Sequence, residues 1–160
     1  MIKDLAYELV TLAKKKGISL ATAESCTGGL IGAAITSVPG SSNVFGYGFI
    51  TYSNYAKKKL LSVREETLNA YGAVSAETAK EMVLGVMRVS GADICVAVTG
   101  IAGPGGGSID KPVGLVFIAI ADKKQNVSVK KLALRGDRNE IRLQSVTEAL
   151  KFLLEAVEAY

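Results

Sequence analysis

Two short segments, "DICVAVTG" (93–100) and "VGLVFIAIA" (113–121), constrain the fold more than any other part of the chain. Each is almost uninterruptedly apolar and rich in Ile, Val and Ala. At eight or nine residues they fit strands buried on both faces. A sheet buried on both faces requires helices above and below it, and the flanking sequence supplies them. Ile2, Leu5, Leu9, Leu12 and Ala13 recur at helical spacing ahead of Gly17, which predicts a helix over 2–16. "SAETAKEMVLGVMRVSG" predicts another, with Ser75 as N-cap and Gly91 as stop. Asp137 predicts the cap of a last helix running to about 157. Shorter helices are expected at 27–37, 54–61 and 64–71. Further strands are expected at 18–24, at 44–53 and, in an outer position, at 126–134. A tight hairpin near Asp122–Asn126 makes one strand pair antiparallel. The expectation is an α/β protein with one open, mixed sheet between helix layers, a single domain over 1–160.

Composition removes whole classes of chemistry. The 160 residues include no histidine and only two cysteines. A Ser-His-Asp or Cys-His catalytic unit within one chain is therefore excluded, as is a Cys/His zinc site or a disulfide scaffold. Cys26 and Cys95 read as small buried hydrophobes. The hydrophobic fraction of 49% against 21% charged argues against disorder. The first twenty residues carry charges throughout, unlike a signal peptide. Nothing in the chain approaches the roughly 18 apolar residues of a membrane span. A soluble, cytoplasmic protein with no membrane partner is expected. The net charge of +4 favours small anionic ligands modestly. Its lysines are scattered (57–59, 123–124, 130–131), Trp is absent, and the six Tyr and four Phe are not grouped, so nucleic acid is not an expected partner.

Three unusual stretches end predicted strands: "ESCTGG" at 24–29, "TYSNYAK" at 51–57 and "TGIAGPGGGS" at 99–108. In open α/β sheets, ligands gather beyond the carboxyl ends of the strands, so these stretches point to one cleft. Ser25 or Thr27 there is either a helix cap or, for Ser25, a nucleophile with backbone N–H donors of a helix start beside it. Without histidine, its base must be Lys, Tyr, Glu or Asp. Glu24 is adjacent, but strand alternation turns it to the opposite face. Lys57 is the better candidate, since desolvation lowers a lysine toward neutrality, and Tyr52 could orient or relay the proton. A solvated surface lysine is the competing reading for Lys57. The loop Gly103–Gly107 fits neither the P-loop nor the dinucleotide-binding pattern. It is either a plain connection or a cradle of amides for an anion. Arg138 and Arg142 share a helix face, as a phosphate clamp or as a solvated surface. Asp110 and Asp137 have simpler roles as turn residue and cap, so no metal site is proposed.

Five blocks, "TAESCTGG", "PGSSNVFGYGFITYSNYAKKKLL", "YGAVSAETAKEM", "VAVTGIAGPGGGSIDKPVG" and "GDRNEIR", resemble the CinA C-terminal-domain family in sequence and order, over about residues 3–155. The resemblance implies a three-layer α/β/α sandwich with a mixed, mostly parallel sheet, and the stand-alone form rather than the one with an added molybdopterin-binding-type domain. It implies hydrolysis of the carboxamide of nicotinamide mononucleotide to nicotinate mononucleotide and ammonia, in pyridine-nucleotide recycling, with no metal or cofactor. The family's nucleophile falls on Ser25 and its associated tyrosine and lysine on Tyr52 and Lys57. Substrate binding is expected from Thr27, Gly28, Gly29, Gly103, Gly105, Gly106 and Gly107, with the family arginine on Arg138 or Arg142. A small-molecule substrate and a homodimer or higher assembly follow from the same resemblance. The alternative is a nucleotide-binding or regulatory module acting through a protein partner in competence or DNA repair.

Overall fold

The computed structural model describes residues 1–160. The elements run α1 (Ile2–Lys16), β1 (Leu20–Glu24), α2 (Leu30–Thr36), a 3₁₀ turn (Ser41–Asn43) and β2 (Phe45–Ile50). They continue through α3 (Asn54–Leu61), α4 (Glu65–Tyr71), α5 (Ala76–Ser90), β3 (Ile94–Gly100), β4 (Leu115–Asp122), β5 (Val127–Ala133) and α6 (Arg138–Ala159). The strands form one sheet in the order β2-β1-β3-β4-β5. β1 pairs in parallel with β2 and β3, while β4 is antiparallel to both β3 and β5. Four strands thus point one way and only β4 is reversed, as expected of a mixed, mostly parallel sheet. No helix is long and apolar enough to cross a membrane.

Each apolar run divides its residues between the two faces of the sheet. Ile94, Val96 and Val98 of β3, with Val116, Ile118 and Ile120 of β4, join the core under α1, α2 and α6. Cys95 and Ala97, with Ala119 and Ala121, join the core under α5. Leu115 and Phe117 of β4 lie on the same face, but the small side chains at its centre let α5 lie close to the sheet, and the closeness extends to α3. At Gly85 of α5, a Cβ would stand 2.2 Å from the carbonyl oxygen of Leu61, the last residue of α3. Only a residue without a side chain fits there.

Two boundaries depart from the sequence expectation by three residues. The helix expected from 27 begins at Leu30, because Gly28 (φ 59°) and Gly29 (φ 106°) occupy left-handed conformations that a helix excludes. The strand expected to 53 stops at Ile50. Its continuation turns so that the carbonyls of Thr51 and Tyr52 accept hydrogen bonds from Lys57 Nζ, and Ser53 caps α3 by accepting from Ala56 N at 3.0 Å.

With β1, β2, β3 and β5 aligned, their carboxyl ends share one rim of the sheet. Ser25, Tyr52, the glycine loop and the start of α6 all follow from those four ends.

Candidate active site

Ser25 continues β1 by one residue, its N–H donating to Val98 O at 3.0 Å. Strand alternation turns Glu24 toward α2 and Ser25 toward α3. Lys57, on the first turns of α3, points back beneath the rim and is 1% exposed. Its Nζ lies 2.9 Å from Ser25 Oγ, 2.8 Å from Thr51 O and 3.2 Å from Tyr52 O. No carboxylate neutralises it. Burial is the main cause that lowers its pKa from 10.5 to about 8, so a useful fraction is the free amine near neutrality. The neighbouring Cys26 is driven the other way: burial raises its thiol to about 11, against smaller opposing effects from its own backbone N–H, Arg142 and Lys57. It stays protonated and weakly nucleophilic where Lys57 has begun to lose its proton.

Ser25 and Lys57 open into a cavity of about 270 Å³ whose walls include Tyr52, Thr99, Gly103 and Arg138. Arg138 Nη1 donates to Gly103 O at 2.7 Å and Nη2 to the Tyr52 hydroxyl at 3.0 Å. Gly105 and Gly106 form the far wall. Gly107 lies outside it, lining an adjoining surface hollow with Pro104 and Val113. Asp137 is the N-cap of α6 in a reciprocal capping box with Glu140, and that cap seats Arg138 at the rim.

The turn 26–29 is arranged differently from expectation. Thr27, Gly28 and Gly29 do not line the cavity. Thr27 is fully buried and its hydroxyl donates to Glu24 Oε1 at 2.6 Å. The N–H of Gly28 donates to Ser25 O, and that of Gly29 to Glu24 Oε1. Neither amide is free for a substrate. Arg142 is also absent from the cavity wall. Its Nε donates to Cys26 O at 3.1 Å and its Nη2 to Thr27 O at 3.2 Å, so it grips the turn from behind.

Glu24, set aside as a base, proves to be the anchor of this turn. Besides Thr27 and Gly29 it accepts from Ile31 N at 2.9 Å and Gly32 N at 3.0 Å, and so caps α2 from the end of the preceding strand. The usual sequence signature of a cap places Ser, Thr, Asp or Asn immediately before the helix; a carboxylate six residues upstream has none. Thr99 is a second residue the motifs did not single out. It lines the cavity and donates to Ala73 O at 2.8 Å, tying the α4–α5 connection to β3. No cluster of three or more acidic or thiol side chains forms anywhere in the chain.

A family profile described as the CinA C-terminal domain matches residues 2–157. The chain belongs to this family. A protein of Enterobacter agglomerans named nicotinamide-nucleotide amidohydrolase PncC is 49% identical over 153 residues, covering 96% of this chain and 93% of that one. A CinA-like protein of Kosmotoga olearia is 50% identical over 155 residues, 97% of this chain but 37% of its own length. Several relatives are of that longer kind, and the chain spans between 33 and 38% of their length. Among solved structures, the competence/damage inducible protein CihA from Agrobacterium tumefaciens superimposes with a TM-score of 0.95 at 47% identity, covering 98% of this chain and 95% of that one. A CinA superfamily protein from Klebsiella pneumoniae does so with 0.95 at 33% identity, covering 100% and 99%.

Proposed function

We propose that this CinA-family chain is an amidohydrolase that converts nicotinamide mononucleotide to nicotinate mononucleotide and ammonia, with Ser25 as nucleophile and Lys57 as its base. The observation that carries the reading is the buried contact of 2.9 Å between Lys57 Nζ and Ser25 Oγ at the floor of a cavity. The 49% identity to a relative named for that activity, over nearly the whole of both chains, supports the substrate.

The free amine of Lys57 takes the Ser25 proton as Oγ attacks the carboxamide carbon. The oxygen of that carbonyl becomes an oxyanion, assigned to the N–H of Cys26, which lines the cavity, and to the N–H of the peptide that joins Cys26 to the buried Thr27. The Lys57 ammonium then gives its proton to the departing nitrogen, and ammonia leaves. Water enters, loses a proton to Lys57 and attacks the acyl-serine ester; Ser25 departs with that proton. The pH at which Lys57 changes charge lets one group serve as base and acid in turn. The nucleotide phosphate is assigned to the outer wall, where the amides of Gly105 and Gly106 adjoin Arg138. Gly103, whose carbonyl is taken by Arg138, shapes that wall rather than binding through its oxygen.

Ammonia release from nicotinamide mononucleotide tests the reading. The wild type should turn over, and Ser25→Ala and Lys57→Ala should lose at least about 10³-fold. Cys26→Ser should retain activity. Undiminished turnover in Ser25→Ala excludes the serine mechanism, and no turnover by the wild type excludes the substrate.

A further inference from the structure

Most polar backbone groups of the turn after Ser25 have a partner within the fold, and the donors follow a pattern. The donors of Gly28, Gly29, Leu30, Ile31 and Gly32 are spent on Ser25 O, Thr27 O and the Glu24 carboxylate. The acceptors Cys26 O and Thr27 O are spent on Arg142. Among the donors, the N–H groups of Cys26 and Thr27, directly after the proposed nucleophile, are the two with no hydrogen-bond partner on another residue. Buried backbone donors are nearly always paired. Two left together beside a reactive hydroxyl mark a place for an oxyanion.

We propose that Arg142 is a positioning residue for this oxyanion site: by gripping the carbonyls of Cys26 and Thr27, it fixes the peptide group whose N–H must meet the developing charge. The proposal rests on the serine mechanism above.

Three features of the contact support it. In a trans peptide the C=O and N–H vectors oppose each other, so a guanidinium on Cys26 O aims the Thr27 N–H away from α6. A positive charge on the carbonyl also polarises the peptide and strengthens its donor. The fit is specific to a planar fork, with Nε and Nη2 on successive carbonyls at 3.1 and 3.2 Å. Gly28 admits it: a Cβ there would stand 3.3 Å from Nη2, and the residue's φ of 59° disfavours one anyway. Glu24 holds the inner side of the same turn, so opposite charges bracket it. Arg142 is thereby separated in role from Arg138, one turn earlier on α6, which faces the cavity itself.

The test uses Arg142→Lys, which keeps the charge and stem but loses the fork, and Arg142→Gln, which keeps a donor but loses the charge. The probe is pyridine-3-boronic acid. Its boron takes a bond from Ser25 Oγ, the serine proton passes to Lys57, and the tetrahedral boronate carries the negative charge where the oxyanion would form. With thermal melting confirming that each variant is folded, kcat and boronate affinity should fall together by about 10²-fold, while KM for nicotinamide mononucleotide stays within about threefold, since ground-state binding is untouched. Boronate affinity at the wild-type level in both folded variants overturns the proposal. So does a loss confined to KM for the phosphate-bearing substrate and absent for nicotinamide riboside, which would make Arg142 a phosphate ligand. Ser25→Ala separates the two readings. If it retains turnover, the serine mechanism fails; if it abolishes turnover and boronate binding while the Arg142 variants behave as wild type, only the role of Arg142 fails.

Discussion

Lys57 Nζ meets Ser25 Oγ directly at 2.9 Å, with no side chain between them. The pair sits where burial holds the amine's pKa near 8. In the proposed mechanism only the unprotonated amine can take the serine proton. Activity therefore rises with pH: log kcat/KM should climb with unit slope below about pH 8 and level off above it. Lys57→Arg should remove the rise along with the activity, because a guanidinium does not deprotonate in this range. A pH–rate profile from 6 to 9.5 checks both; a wild-type acid limb centred near 6 would assign the base elsewhere.

The same lysine should write its pKa into stability. Unfolded, it titrates near its ordinary value of 10.5; folded, near 8. Between those values the unfolded chain binds the proton and the folded one does not, so raising the pH through this window favours folding. Relative to Lys57→Met, the wild type should gain about 3 kcal/mol from pH 8 to 10.5 and nothing below pH 7. Burial of Cys26 and Cys95 raises their thiols and acts in the opposite direction at high pH. Those residues are common to both proteins, so the difference reports Lys57 together with its smaller coupling to Cys26. Denaturant titrations of the pair across pH measure it.

Tyr52 has a different place from the relay the sequence suggested. The residue is 60% exposed, its hydroxyl accepts from Arg138, and its backbone carbonyl accepts from Lys57. Tyr52→Phe removes the hydroxyl and keeps the carbonyl. It should lower kcat by less than about tenfold, while the freed guanidinium shifts KM for the nucleotide. A loss as large as that of Lys57→Ala would restore the relay.

The sheet and its helices were legible because their signals are local: two unbroken apolar runs, a Ser75 cap, a glycine stop. The cleft was legible because the carboxyl ends of parallel strands converge in any such sheet. What escaped were contacts made across the fold. Arg142 reaches Cys26 over 116 positions, and its four-residue spacing from Arg138 suggested one shared task. The family resemblance implies substrate binding by Thr27, Gly28 and Gly29. Here the glycines permit left-handed turns, and their amides are consumed by Glu24 and Ser25. The sequence offers Glu24 only as a candidate base turned away from Ser25, whereas its burial and four donors make it a structural anchor.

Glu24→Gln tests that anchor with almost no change in volume. The carboxylate accepts from one hydroxyl and three amides. A glutamine keeps one carbonyl oxygen and turns an NH₂ toward groups that are themselves donors. Hydrogen bonds to a charged acceptor are worth about 1.5–3 kcal/mol each, and unsatisfied donors add their own cost. A loss of about 2–4 kcal/mol is expected by urea denaturation, with a drop in kcat larger than that in Tyr52→Phe, because the turn bearing the Cys26 and Thr27 amides loosens. Stability within 0.5 kcal/mol of wild type would remove Glu24 from this role.

Gly85 links the core to the site at the longest range. It lies on α5, outside the cavity, yet its Cα faces the Leu61 carbonyl at the end of α3 so closely that an added Cβ would stand 2.2 Å from that oxygen. Arg88 of α5 also donates to Leu61 O, at 3.1 Å, which holds the two helices in register. Gly85→Ala must push α3 outward, and Lys57 sits one helical turn before Leu61 on that helix. A displacement near 1 Å at a catalytic group costs about 10²-fold in rate, whereas helix propensity alone would make Ala at this position favourable by about 1 kcal/mol. The expected outcome is therefore a fall in both melting temperature and kcat. Gly46→Ala, at an exposed position with nothing within 4 Å of an added Cβ, serves as the control and should change neither. Wild-type kcat in Gly85→Ala would mean that the Lys57–Ser25 contact does not depend on how closely α3 and α5 pack.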